Sequence, residues 1–354
     1  MRNIKIFGAA FDPDERQAKI ANKIANSREN YLQLQFRDPY DGVMNQLEKL
    51  VQKGSFEVVG NLPVEPWLTP TPDSKYVPLL EVENLVAFID SDGCKEYADK
   101  ASEFVKEHVL PDFSVLLGVD HSLTGGCLQA FSKEYGVSDT GLVILDSHFD
   151  AVTPSVRCGL IQYDVENNPE SPFDPHDPYI RGRLDSYNAD SFLHYLIEER
   201  KVAPENVLIL GVSDYPPKAA FEVDDERVKR YLSHYLGFEE KGVKIIRKEK
   251  VRRDPLSVKK ALKMLKAKHI YLSIDIDVGA KAALRGARFL DYEGLKEDEI
   301  YRLIKLVKDR VGRGSGFLGF DILETDVYEA GIRQGGLEDR TYQIEANIAK
   351  LLLT

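Results

Sequence analysis

Short runs of apolar residues recur along the chain, with amphipathic stretches between most of them. They stand at Ile4–Phe7, Phe56–Val59, Leu85–Ile89, Ser114–Leu117, Leu142–Leu145, Val207–Leu210, Val243–Ile246, Ile270–Ile274 and Phe317–Phe320. Being short and rich in Val, Ile, Leu and Phe, they read as β-strands, and their near-continuous apolarity is that of strands covered on both faces. A 3.6-residue period predicts helices over about 94–109, 189–200, 257–267, 296–310 and 340–353. In the last of these, Ile344, Ile348, Leu351 and Leu352 make one apolar stripe. Strands alternating with helices predict an α/β protein, a three-layer α/β/α sandwich around a central, mostly parallel sheet of about eight strands.

The chain shows no internal repeat, and no stretch is rich enough in Pro, Gly or Ser to divide it, so residues 1–354 are expected to form a single domain. One segment breaks the rhythm. From Val152 to Asn188 it carries Pro154, Pro169, Pro172, Pro175 and Pro178 among several Asp and Asn. It is expected to be a long loop insertion, either a lid over a site or a surface excursion.

Polar residues gather where the apolar runs end. The stretch "VILDSHFDAV" places Asp146, His148 and Asp150 at every second position, and "SIDIDV" repeats the spacing with Asp275 and Asp277. Residues two apart on an extended chain point the same way. "GVDHS" puts Asp120 and His121 after a third run, and "FDILET" puts Asp321 and Glu324 at the fourth. Open α/β sheets bind ligands outside the carboxyl ends of their strands. Converging carboxylates repel one another unless cations, protons or metal ions neutralise them. The bland alternative is a set of polar strand ends satisfied by loops and helix caps, but so many such ends favour a metal site. Four Asp and two His form a hard, oxygen-rich donor set that suits Mn²⁺ and exceeds what one ion needs. Two ions sharing carboxylates and a water imply metal-assisted hydrolysis.

Bulk composition narrows the possibilities further. With 43% hydrophobic residues, the 354-residue chain can bury a sizeable core. A net charge of −11 argues against a nucleic-acid partner, which would have to be met with Lys and Arg. No run approaches the roughly 20 apolar residues of a membrane span. The N-terminal "MRNIKIFGAAFDPDE" turns acidic where a secretory signal needs an apolar core, so the protein is expected to be cytoplasmic. Cys94, Cys127 and Cys158 lack metal-finger spacing and are expected to be free buried thiols.

The four strand-end motifs together resemble those of the ureohydrolases, the arginase and agmatinase family. "GVDHS" is similar to that family's Gly-Gly-Asp-His-Ser, "DSHFD" to its Asp-Ala-His-x-Asp, "SIDIDV" to its Ser-x-Asp-x-Asp and "DILET" to its Asp-Ile-x-Glu. All four occur in the family's order, covering about residues 114 to 325. The resemblance implies an arginase-like fold and two Mn²⁺ per chain. His121 and Asp150 would bind one ion, His148 and Asp277 the other, with Asp146 and Asp275 bridging. Glu324 would contact the substrate guanidinium, and Asp120 would orient the ligands. It also implies a metal-bridging hydroxide that attacks a small guanidino or amidino substrate at its linear C–N bond, releasing urea or a related product, and a homo-oligomer.

The chain departs from the family at three places. The family's Asp-Pro and Pro-Gly continuation is replaced by "GAKAALRGARFLDYEGL". Its proton-shuttling histidine has no obvious counterpart: Asn188 and Ser186 stand near that position, and His194 falls within a helix. The acidic anchor for an amino-acid substrate is replaced by proline in "VSDYPPKAAFE", where Asp214 remains. Asn188 and Arg183 are candidate substrate contacts, Arg181 and Arg183 being able to hold a carboxylate, although the blander expectation for loop arginines is that they pair with surrounding acids. Two other readings are a zinc-dependent, deacetylase-like amidohydrolase with one ion, and a metal-binding member that has lost catalysis.

Overall fold

Eight of the nine apolar runs are strands of one sheet: β1 (Ile4–Ala9), β2 (Glu57–Asn61), β3 (Phe113–Gly118), β4 (Thr140–Leu145), β5 (Val207–Val212), β6 (Lys244–Arg247), β7 (His269–Asp275) and β8 (Phe317–Leu323). Their order is β2-β1-β3-β8-β7-β4-β5-β6, and every neighbouring pair is parallel. The protein is seen here as a computed structural model, which describes residues 3–29, 34–312, 316–334 and 337–354.

Strand alternation divides the core into two layers. Leu116, Leu142 and Ile144 pack on one face, against Cys127, Leu128 and Phe131 of the helix Leu123–Tyr135 and Tyr97 of the helix Gly93–Phe104. Val115, Leu117, Val143 and Leu145 point to the other, against Leu303 and Val307 of the helix Glu297–Val311 and Ile344 and Ile348 of the helix Thr341–Leu353. With helices on both faces, each central strand is buried along nearly its whole length, which is why β3, β4, β5, β7 and β8 read as near-continuous apolar runs, with buried polar exceptions such as Ser273 in β7 and Asp321 in β8.

Two expectations are corrected. Leu85–Ile89 lies inside the helix Val82–Asp90, where Leu85, Val86 and Ile89 form the buried side. Five consecutive residues are too few to tell a buried helical turn from a strand by periodicity. The segment from Val152 to Asn188 also holds a helix, Pro154–Asn167, with Pro154 in its first turn, where a missing N–H costs nothing. The prolines that break the pattern, Pro169, Pro172 and Pro175, follow that helix.

Along the sheet, the chain leaves β3, skips two positions to β4, and later fills the gap with β7 and β8. The order therefore reverses around these four strands, and their carboxyl ends surround the crevice where open α/β sheets bind ligands.

Candidate metal centre

The four polar strand ends lie side by side. Leu145 pairs with Ile274, and Asp275 pairs with Leu323, so the register carries Asp146 next to Asp275 and brings both beside Glu324. The extended backbone assumed for Asp146 to Asp150 stops at Leu145. Asp150 adopts a positive φ of 50°, and Asp277 lies in the single turn Ile276–Gly279 after β7. Turning backbone, rather than strand alternation, thus aims these side chains. Gly211 helps: at φ +111° it bulges β5 toward Asp146, and a Cβ there would stand 2.9 Å from the Asp146 carbonyl oxygen.

All six expected ligands converge, in two groups that share Asp146. His121, Asp146, Asp150 and Asp275 make one group, and Asp146, His148 and Asp277 the other, each with its donor atoms within 4.8 Å of one another. His121 Nδ1 lies 2.7 Å from Asp150 Oδ2 and 3.4 Å from both Asp146 Oδ2 and Asp275 Oδ2. His148 Nδ1 lies 2.7 Å from Asp277 Oδ2 and 3.7 Å from Asp146 Oδ1. Backbone N–H groups orient the carboxylates: His148 donates to Asp146 at 2.6 Å, Asp277 to Asp275 at 2.8 Å and Ser147 to Asp277 at 3.2 Å. The His121 ring is fixed from behind, its Nε2 lying 2.9 Å from Ser273 Oγ, which donates to Asp321 at 2.6 Å. Thr124 also donates to Asp321, at 2.9 Å.

The electrostatics show what this arrangement demands. Burial, with Asp150 and Asp277 adding like charge, raises Asp146 well above the usual carboxylate range. Burial and the neighbouring Asp277 and Asp146 do the same to Asp275. For His121, burial opposes the charged form, but Asp150 and Asp146 overcome it and push the imidazole up to about 10. Asp277 is lowered, its burial outweighed by His148. The cluster therefore draws in protons or cations. Oδ2 of Asp146 is buried with no hydrogen-bond donor among the described residues, and Oδ2 of Asp277 faces His148 Nδ1. Four carboxylates carry four negative charges, the charge that two divalent ions would neutralise. Donor atoms of both imidazoles and of the four carboxylates gather in two groups that share Asp146, so the residues fit a binuclear metal site.

The other expected site residues make the following contacts. Arg183 is spent on structure: its guanidinium is held by Glu15 at 2.6 and 3.0 Å and by Asp90 at 2.8 and 3.0 Å. Asn188 and Ser186 shape the turn before the helix Phe192–Glu198, Ser191 Oγ donating to the Ser186 carbonyl and accepting from the Asn188 N–H. His194 stacks on His234 with ring centroids 5.7 Å apart and joins neither ligand group. Asp214 is buried with both carboxylate oxygens unpartnered among the described residues, and burial pushes it up to about 6 against His148 and Arg157.

Asp120, expected to orient the ligands, instead pairs with an arginine that the sequence motifs did not point to. Arg288 is buried among four carboxylates, 3.1 Å from Asp120 and from Glu324, 3.5 Å from Asp12 and 3.6 Å from Asp14. The acidic "FDPDE" following β1 was its one visible signal, since it repeats the pattern of an apolar run ending in acids.

The Arginase family model matches residues 3–328. No curated protein sequence is significantly similar to the chain. Among solved structures, an arginase from Bacillus caldovelox superposes with a TM-score of 0.62 at 17% identity, covering 100% of this chain and 98% of the other. A proclavaminate amidino hydrolase from Streptomyces clavuligerus gives a TM-score of 0.60 at 17% identity, covering 99% and 91%. The formimidoylglutamase of Bacillus subtilis gives 0.57 at 15% identity, covering 100% and 86%. At these identities the likeness is one of fold, and the family assignment rests on the sequence match over nearly the whole chain. The chain belongs to the Arginase family.

Proposed function

We propose that this protein is a binuclear manganese hydrolase that cleaves a linear C–N bond of a small guanidino or amidino compound. The observation that carries the reading is the pair of ligand groups joined through Asp146, with all six donors converging in one buried crevice. His121 and Asp150 would hold one ion, His148 and Asp277 the other, with Asp146 and Asp275 between them. Bound ions of this kind supply a water of lowered pKa and a Lewis acid.

The chain's own residues do the rest. Asp321 and Ser273 keep the His121 ring in its plane. Glu324 contributes a buried oxygen, Oε2, that no described residue engages and that is suited to accept an N–H from an amidine or guanidine. Burial raises Glu324 to about 8 against the opposing charge of Arg288, and divalent ions nearby would act in the same direction as Arg288. The crevice is more open beside His148, where Tyr292 and Phe289 flank the ring at centroid distances of 5.7 and 6.0 Å.

Purified protein loaded with Mn²⁺ and offered a panel of guanidino and amidino compounds tests the reading. Release of urea, formamide or ammonia with two ions per chain is expected. One ion per chain would favour the deacetylase-like alternative, and two bound ions with no turnover across the panel would favour a member without catalysis.

A further inference from the structure

Glu324 follows β8 at φ +66°, a backbone conformation that L side chains seldom adopt, so its direction depends on what holds it. Arg288 holds it twice. The Arg288 N–H donates to the Glu324 carbonyl at 2.9 Å, and Nη1 donates to Oε1 at 3.1 Å. The His121 N–H donates to the same oxygen at 2.9 Å, which fills both of its lone pairs. Oε2 is left buried with no donor among the described residues, on a residue that is 1% exposed.

Arg288 is itself held in place. Nη1 also reaches Asp120 at 3.1 Å, and Nη2 faces Asp12 and Asp14 at 3.5 and 3.6 Å. These acids follow β1 and β3, so three strands fix the plane of one guanidinium. Lys23, 3.0 Å from Asp12, and Arg16, which grips Asp14, supply further positive charge. A lysine in place of Arg288 could offer only a point charge and could not keep the fork between Asp120 and Glu324.

We infer that Arg288 is a positioning residue: it occupies Oε1 and leaves Oε2 as the one oxygen through which Glu324 meets a substrate N–H. The inference rests on Glu324 contacting substrate, as proposed above. A fork-to-fork pair with a guanidinium needs both carboxylate oxygens. This site offers one, so a substrate nitrogen docks end-on.

The test uses full-length, Mn²⁺-loaded protein and the formamidinium ion as probe, with binding followed by calorimetry and turnover followed separately. Arg288→Lys is expected to weaken binding roughly ten- to a hundredfold, the worth of a hydrogen bond to a charged group, with metal content unchanged. Glu324→Gln should weaken it comparably, and the double variant should be no worse than either single one, since the two act as a unit. Unchanged affinity in Arg288→Lys, additive losses in the double variant, or metal loss in step with affinity would each overturn the inference. If Arg288→Lys does not fold, a crystal of the wild-type complex decides. A ligand nitrogen on Oε2 with Arg288 still on Oε1 supports the inference, while a ligand that bridges both oxygens or displaces Arg288 overturns it. Binding that depends on Arg288 in a protein without turnover would strike the hydrolase reading alone.

Discussion

Glu345 offers a quantitative check on the physics beneath the site. It is fully buried on the helix Thr341–Leu353, where Oε1 accepts from the hydroxyl of Thr325, the residue directly after Glu324, and Oε2 has no donor among the described residues. Burial, with Asp339 adding like charge, raises its pKa from the usual 4.5 to about 8. The folded state therefore prefers the neutral acid. A raised carboxyl contributes stability that is complete below pH 4.5 and is lost as pH climbs through 8. At ~1.4 kcal/mol per pH unit, roughly 3 kcal/mol has been lost by pH 7.

Glu345→Gln keeps an oxygen to accept from Thr325 and removes the ionisation. The variant should match the wild type near pH 4.5 and exceed it by up to ~3 kcal/mol at pH 7. With unfolding entropy of ~2.1 cal/mol/K per residue, that corresponds to a Tm gain of roughly 4 °C for a chain of this length. Paired thermal melts from pH 4.5 to 8.5 measure it. An offset in Tm that does not change with pH, or a variant less stable at pH 7 than at pH 4.5 relative to wild type, would refute the reasoning.

Three further outcomes are expected. Asp146→Ala removes the carboxylate common to both ligand groups, so bound metal should fall below two per chain and turnover should vanish; metal analysis beside an activity assay reads both. Ser273→Ala frees the back of the His121 ring, and metal affinity should drop roughly 10- to 100-fold in a chelator competition, as when partners behind other metal ligands are removed. Arg183→Met leaves Glu15 and Asp90 without their shared cation and should lower Tm, by up to ~3 kcal/mol of stability for so enclosed a pair. A raised KM at unchanged Tm would instead place Arg183 at the substrate.

Legibility in the sequence followed the range of the interaction involved. The central strands were readable because burial on both faces leaves a purely local mark, apolar residues at most positions. Leu85–Ile89 was misread because the same mark is left by a buried helical turn. The convergence of the expected ligands was legible for a related reason: His121, Asp146, His148, Asp150, Asp275 and Asp277 cluster at the ends of three apolar runs, and their short spacings survive in the linear chain. The role of Arg288 left no local mark beyond the acids after β1 that it meets. This arginine lies 168 residues from Asp120 and 36 from Glu324, in a stretch with no periodic signal.

By itself, then, the sequence determined the layered α/β architecture, the polar character of four strand ends and their likeness to one family, because hydrophobic burial and short-range spacing are written residue by residue. Only the tertiary structure decided how the two ligand groups share Asp146, that Arg183 is consumed by Glu15 and Asp90, and that Arg288 braces Glu324. Those facts depend on strand order and on the turns after β4 and β7. Both are set by packing between segments far apart in the chain, where a charged residue chooses its partner by proximity in space, and linear spacing carries no record of that choice.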